Sequence, residues 1–204
     1  VEAITKRTAD LIHAAGGKTF ILFTSYELMN RVYTRLESLM GRYQLLKQGG
    51  LPTREMIVRF KKKPSVIFGT NSFWQGIDIP GDALKSVIIT KIPFDVPNEP
   101  LTEARLEELR RQSINPFMHY QIPRAIVQLK QGFGRLIRNK TDTGVVTILD
   151  SRIHNRGYGK QFIDSLPPCG VVNDFARVKE FLSAGWESNN GHKVPPTDVR
   201  NVVL

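Results

Sequence analysis

Between residues 124 and 138 the chain reads RAIVQLKQGFGRLIR, with three arginines, two glutamines and no acidic residue. At about 100° per residue, Arg124, Gln128, Gln131, Arg135 and Arg138 fall within an arc of roughly 80° on a helix. Ile122, Ala125, Ile126, Leu129, Phe133, Leu136 and Ile137 fall on the opposite side. One face therefore docks on a core and the other lines up amides and guanidiniums. Guanidiniums are planar, permanently charged donors that suit phosphate oxygens. One placed at a breaking γ-phosphate bond is worth about 10³–10⁵ in rate. A solvated polar face is the alternative, but such faces usually mix Glu with Lys. Gly132 and Gly134 each weaken a helix by about 1 kcal/mol relative to Ala. Their presence implies either a close approach to the backbone or a distorted last turn.

A second chemical segment is FGTNSFWQGIDIPG, residues 68–81. Thr70, Asn71 and Ser72 come after an apolar run, and their hydroxyls, amide and backbone N–H groups can hold a nucleic-acid backbone without reading sequence. Phe73 or Trp74 can stack on a base; core anchoring is the stronger alternative. Asp78 lies between Ile77 and Ile79 and so projects away from two buried side chains. It can accept from a ribose hydroxyl, hold a magnesium-bound water or pair with an arginine. A turn-forming Asp before Pro80-Gly81 is the alternative.

A third segment fails its chemistry. Gly16-Gly17-Lys18-Thr19 looks like the end of the phosphate loop G-x-x-x-x-G-K-[ST], but the first glycine would be Ile12. The segment also comes after a helix and opens a strand, the reverse of what aims helix amides at phosphates. No Asp-Glu pair ends an apolar strand either, so the chain lacks the parts to grip ATP and magnesium alone.

The elements that must position these residues can be read from periodicity. Ile4, Leu11, Ile12 and Ala15 mark a helix ended by Gly16-Gly17. Residues 20–23 read as a buried strand. Thr24 with Glu27 gives a capping-box pattern before a helix whose apolar face is Leu28, Met29, Val32, Tyr33, Leu36, Leu39 and Met40. A weaker strand at 43–46 precedes a helix over 53–60. Residues 66–68, 87–89 and 145–149 read as strands. Residues 93–119 hold four prolines around one charged helix at 101–111 and read as a surface insertion. A long helix starts near Pro123, and further helices span 156–165 and 173–184. The domain runs over 1–184, and 185–204 reads as a loose tail. Helices alternating with wholly apolar strands predict an α/β fold with a parallel sheet flanked by helices. Ligands of such sheets gather beyond the strands' carboxyl ends.

Composition bounds the rest. A chain of 204 residues, 41% hydrophobic and 24% charged, buries a real core. No apolar run approaches the roughly 20 residues of a membrane span, which predicts no membrane partner. The start, VEAITKRTAD, has neither an apolar signal core nor an initiating Met, which reads as an excised piece. The single cysteine, Cys169, cannot alone hold zinc or an iron–sulfur cluster and fits a reducing, intracellular compartment. A net charge of +10 and a pI of about 9.9 suit a phosphate backbone; a generic basic surface is the alternative.

Two segments carry a family resemblance. Residues 69–84, GTNSFWQGIDIPGDAL, resemble motif V of the superfamily-2 helicases of the XPD/DinG group, the DinG/YoaA branch in particular, and residues 87–94 resemble the continuation of motif V in that branch. Residues 128–138 resemble motif VI, continuing to Asp142-Thr-Gly144 and Leu149-Asp150-Ser-Arg152, and 20–26 resemble motif IV. The resemblance covers about 1–184 and implies a RecA-like second motor domain that closes on a first around ATP and Mg²⁺. It implies that Gln131, Arg135 and Arg138 contact the γ-phosphate or its attacking water, with Arg138 the arginine finger. Gly76 and Asp78 would touch the nucleotide. Thr24, Ser25, Thr70, Asn71 and Ser72 would hold single-stranded DNA. It further implies a monomeric bacterial cytoplasmic protein moving 5′ to 3′ in DNA repair. The phosphate loop, an Asp-Glu motif and any iron–sulfur cluster would belong to the protein's own amino-terminal helicase domain. Residues 93–119 match no motif. A non-catalytic basic module that binds nucleic acid or a partner protein is the competing expectation.

Overall fold

A computed structural model of the chain describes residues 1–70, 73, 83–95, 100–137 and 143–183, and the backbone of 188–189, 192–193 and 201–203. Its centre is a parallel sheet. The strands are β1 (Thr19–Leu22), β2 (Gln44–Lys47), β3 (Ser65–Gly69), β4 (Ser86–Ile89) and β5 (Gly144–Ile148), in the order β2-β3-β1-β4-β5. All four pairings among them are parallel. Every residue of β1, β3, β4 and β5 is buried, which is why these strands read as unbroken apolar runs. β2 is the edge strand, and only Leu46 is buried there.

Alternate side chains of the strands enter two cores. Ile21, Phe23, Val66, Phe68, Ile88 and Val145 meet α1 (Glu2–Ala14), α2 (Tyr26–Glu37) and α8 (Phe175–Ser183) on one face. Phe20, Leu22, Ile67, Val87, Ile89, Val146 and Ile148 meet α3 (Thr53–Lys62), α5 (Ile122–Phe133) and α7 (Gly159–Asp164) on the other. The period of two in the strands thus sorts the helices into two layers.

The remaining elements are α4 (Pro100–Arg111) and the short α6 (Arg152–Asn155). The insertion expected at 93–119 is tied down by Thr102 and Leu106 of α4, both buried. A π-helical turn, Phe117–Gln121, leads into α5. Within 185–204, expected as a loose tail, the backbone of β7 (Ser188–Asn189) pairs with β8 (His192–Lys193), and β9 (Asn201–Val203) pairs with β5 and with β6 (Gly170–Val171).

Two local expectations are corrected. The cap of α2 is Ser25 rather than Thr24: its side chain accepts from Leu28 N–H at 3.3 Å. Glu27 then pairs along the helix with Arg31 at 3.4 Å. Helix α5 stops at Phe133, short of Arg138. The N–H groups of Arg135 and Leu136 reach back only three residues, to Gly132 and Phe133, the tightened pattern of a closing turn. Glycines at 132 and 134 make that ending easy, so the distorted last turn is what the structure contains.

Candidate functional site

Helix α5 crosses over from β4 to β5, so it runs antiparallel to both strands. Its start lies by the carboxyl ends of the strands and its end by their amino ends. Leu136 fixes the lower end: a Cβ at Gly144, the first residue of β5, would lie 2.7 Å from Leu136 Cδ2 and 2.7 Å from the carbonyl of Lys85, just before β4. At about 1.5 Å of rise per residue, Arg124 and Arg135 lie more than about 15 Å apart along the axis. The polar row is therefore a ridge down the side of the domain, too long for all its members to meet one phosphate.

The upper half of the ridge is engaged. Asp95, from the segment after β4, forms an ion pair with Arg124 Nε and accepts from Gln128 Nε2 at 2.9 Å. Its side chain is only 12% exposed. The guanidinium of Arg124 also lies 5.4 Å from the centre of the Tyr120 ring, a ring that Arg105 of α4 approaches at 5.9 Å. The helical stretch has no acid in sequence, but the fold delivers one from outside it.

The lower half holds Gln131 and Arg135. Gln131 is half-buried, and its Oε1 is buried without a hydrogen-bond partner among the described residues. Arg135 is half-buried in the closing turn, and that burial lowers its guanidinium pKa from the ordinary value. The opposite flank, Ile122, Ala125, Leu129, Phe133 and Leu136, is buried as its spacing requires, with Ile126 and Ile137 partly so. Arg138, Gly76, Asp78, Asn71, Ser72 and Trp74 lie outside the described residues.

A separate polar cluster sits at the carboxyl ends of β1, β2 and β3. Gln48, just past β2, accepts through Oε1 from Thr70 N–H at 2.7 Å and Thr70 Oγ1 at 3.1 Å, and donates through Nε2 to the Tyr26 hydroxyl at 2.7 Å. This chain of bonds ties the loop holding Thr24 and Ser25 to the loop opened by Thr70. Thr70 is buried, Thr24 is half-buried, and Ser25 and Tyr26 are exposed. Phe73 folds back over Gly69 and meets Phe20 edge-on at 6.5 Å with 7% exposure, so it is a core anchor. A side chain at Gly69 would strike it, a Cβ there lying 2.6 Å from Phe73 Cβ.

Sequence reasoning passed over Gln48 and Asp95, and it quoted Asp150 and Arg152 without reading them as a pair. Asp150, buried after β5, accepts from Ile92 N–H at 2.9 Å and from Arg152 Nη2 at 2.6 Å. Burial pushes its pKa up, but the Arg152 guanidinium and the N–H groups of Ile92 and Arg152 outweigh that and hold it below the usual carboxylate value. Arg152 is correspondingly raised by Asp150 and lies 5.2 Å from the centre of Phe94. The residue types were visible in sequence; Arg152 is a local partner of Asp150, but Ile92, like the partners of Gln48 and Asp95, comes from a distant segment that no local pattern reveals.

The family described as the helicase C-terminal domain matches residues 8–169. The chain is 45% identical over 175 residues to the ATP-dependent DNA helicase YoaA of Haemophilus influenzae, covering 84% of this chain and 27% of that protein. It is 45% identical over 170 residues to the ATP-dependent DNA helicase DinG of Photobacterium profundum, covering 80% and 24%. It is 40% identical over 159 residues to the Bacillus subtilis protein named 3'-5' exonuclease DinG, covering 76% and 17%. The chain thus spans about a quarter or less of the length of these relatives. A solved structure of an XPD helicase superposes with a TM-score of 0.59 at 23% identity, covering 81% of this chain and 31% of that one, a likeness of fold.

Proposed function

This chain belongs to the helicase C-terminal domain family, and from that premise we propose that it is the second motor domain of an ATP-dependent DNA helicase, supplying the arginine half of an ATP site. The observation that carries the reading is the lower ridge of α5. Gln131 offers a buried carbonyl oxygen without a partner among the described residues, and Arg135 a partly buried guanidinium, beside a flank locked into the core. Partial exclusion of water strengthens the pull of such a cation on a phosphate. In this reading a neighbouring amino-terminal domain holds the triphosphate, and Gln131, Arg135 and Arg138 meet its γ-phosphate or attacking water, with Arg138 the arginine finger. Gly76 and Asp78 touch the nucleotide. Among the described residues no group of His, Cys, Asp and Glu is placed to hold a metal. The resemblance assigns Mg²⁺ and any iron–sulfur cluster to the other domain.

The same reading lays single-stranded DNA across the carboxyl ends of β1 and β3, against Thr24, Ser25, Thr70, Asn71 and Ser72. Buried Thr70 then acts through its loop and Gln48, while exposed Ser25 reaches the backbone. Movement from 5′ to 3′, a role in DNA repair, a monomeric state and a bacterial cytoplasmic setting are parts of this proposal drawn from the relatives and the resemblance. No helix among the described residues is long and apolar enough to cross a membrane.

The test is ATP turnover in the full-length protein. Removing the guanidinium in Arg138→Ala or Arg135→Ala should lower DNA-stimulated turnover by about 10³ or more while nucleotide binding survives. Normal turnover in both variants removes the arginine half-site from the mechanism.

A further inference from the structure

The structure gives the upper ridge a role that its sequence alone does not. We propose that Asp95 is a positioning residue for the phosphate half-site: by gripping Arg124 and Gln128 it fixes the rotation of α5 about its own axis. This rests on the reading that the lower ridge faces ATP.

Arg124 and Gln128 stand one helical turn apart on the same face, and a single carboxylate grips both. A contact spanning two successive turns resists rolling in a way that a single contact cannot. Asp95 is itself anchored. It comes directly after Phe94, whose ring packs against Phe117, Tyr158 and Phe162 at 5.5, 6.0 and 6.0 Å. Phe117 opens the π-helical turn that starts α5, so the same cluster holds both the clamp and the root of the helix. Tyr120 and Arg105 extend the grip to α4. Phe94, Asp95, Arg105, Phe117 and Tyr120 thus act together as a brace on α5.

The magnitudes favour this over an ornamental surface ion pair. An exposed pair contributes about 0–1 kcal/mol, but the consequence of rolling is geometric. A roll of about 20° carries a side-chain tip at a radius of about 6 Å through about 2 Å. Misplacing a positioned group by about 1 Å can cost on the order of 100-fold in rate. Arg124 itself is more than about 15 Å up the axis from Arg135, beyond reach of the phosphate that Arg135 would contact.

The experiment is steady-state ATP turnover of the full-length protein at saturating single-stranded DNA, comparing D95A, R124A and D95A/R124A. DNA affinity serves as the check on folding. If Asp95 positions α5, each single change lowers kcat roughly tenfold with KM for ATP within about twofold, and the double change is no worse than either single one. If Arg124 is instead a phosphate ligand held in check, R124A raises KM sharply while D95A lowers it, and the proposal is overturned. Equal and additive losses also overturn it. Should D95A fail to fold, R124A together with Q128A removes the same clamp from the helix side and carries the same expectation. The R135A variant keeps the two readings apart. Normal turnover by R135A sinks the half-site itself, whatever Asp95 does.

Discussion

At the residue scale, two arginines differ in the direction that their surroundings push them. Arg152 is matched to a buried carboxylate and its pKa is raised; Arg135 is partly desolvated and its pKa is lowered. The first ties β5 to the segment after β4; the second is the residue proposed above to meet the γ-phosphate. The Asp150–Arg152 pair makes a stability prediction whose sign is fixed by linkage. The folded pKa of Asp150 is depressed, so its contribution is present above the unfolded carboxylate pKa of about 3.9 and is lost as pH falls through the folded value. Asp150→Asn weakens the bonds to Arg152 and leaves a partly exposed guanidinium behind. The cost at neutral pH is about 2 kcal/mol, and the variant should show a flatter loss of stability below about pH 4 than the parent. Urea titrations at several pH values check both; parallel acid profiles for parent and variant would contradict the assignment. Because Asp150 also holds Ile92 N–H, the same change should loosen the segment that carries Asp95.

At the element scale, the central prediction concerns the return from the arginine turn into the sheet. Gly144 opens β5 where Leu136 and the Lys85 carbonyl leave no space for a Cβ. Gly144→Ala must push against backbone as well as side chain, and overpacking of this kind costs about 1–3 kcal/mol. For a domain of this size that lowers the melting temperature by roughly 3–10 °C. Gly157→Ala, where a Cβ meets nothing within 4 Å, should stay within about 0.5 kcal/mol. Thermal melts of the two variants make the comparison. Most elements were legible because burial writes itself into composition: β1, β3, β4 and β5 are apolar throughout since both faces are covered. The edge strand β2 was faint for the same reason, since Leu46 alone of its four residues is buried. Two adjacent hydroxyls, Thr24 and Ser25, made the α2 cap ambiguous by one residue. The end of α5 was overrun because apolar periodicity continues through Leu136 and Ile137 into a turn. The Asp95 clamp was illegible in principle, since its two partners lie 29 and 33 residues away and nothing local marks the pairing.

At the scale of the whole molecule, two candidate surfaces occupy different ends of one rigid body. The polar loops of Thr24, Ser25 and Thr70 lie at the strands' carboxyl ends; Arg135 lies at the foot of α5 near their amino ends. The expectation that ligands gather beyond the carboxyl ends therefore suits the proposed DNA surface and not the proposed arginine half-site, whose position would be set by the direction of a crossover helix. With the sites about a helix length apart, DNA and nucleotide can influence each other only through the domain and its neighbour. A motor must have such a coupling, and a passive basic module has none. In the full-length protein, a non-hydrolysable ATP analogue should change the affinity for a labelled single-stranded oligonucleotide by about 5–150-fold. The charge of +10 ensures that binding weakens with salt in either case, with a slope of about −0.7 per phosphate neutralised, so the salt dependence alone separates nothing. The difference between titrations with and without analogue, at one fixed salt concentration, does. Identical curves would leave a basic binding domain, whereas displaced curves require that the arginine ridge and the strand-end loops report to each other.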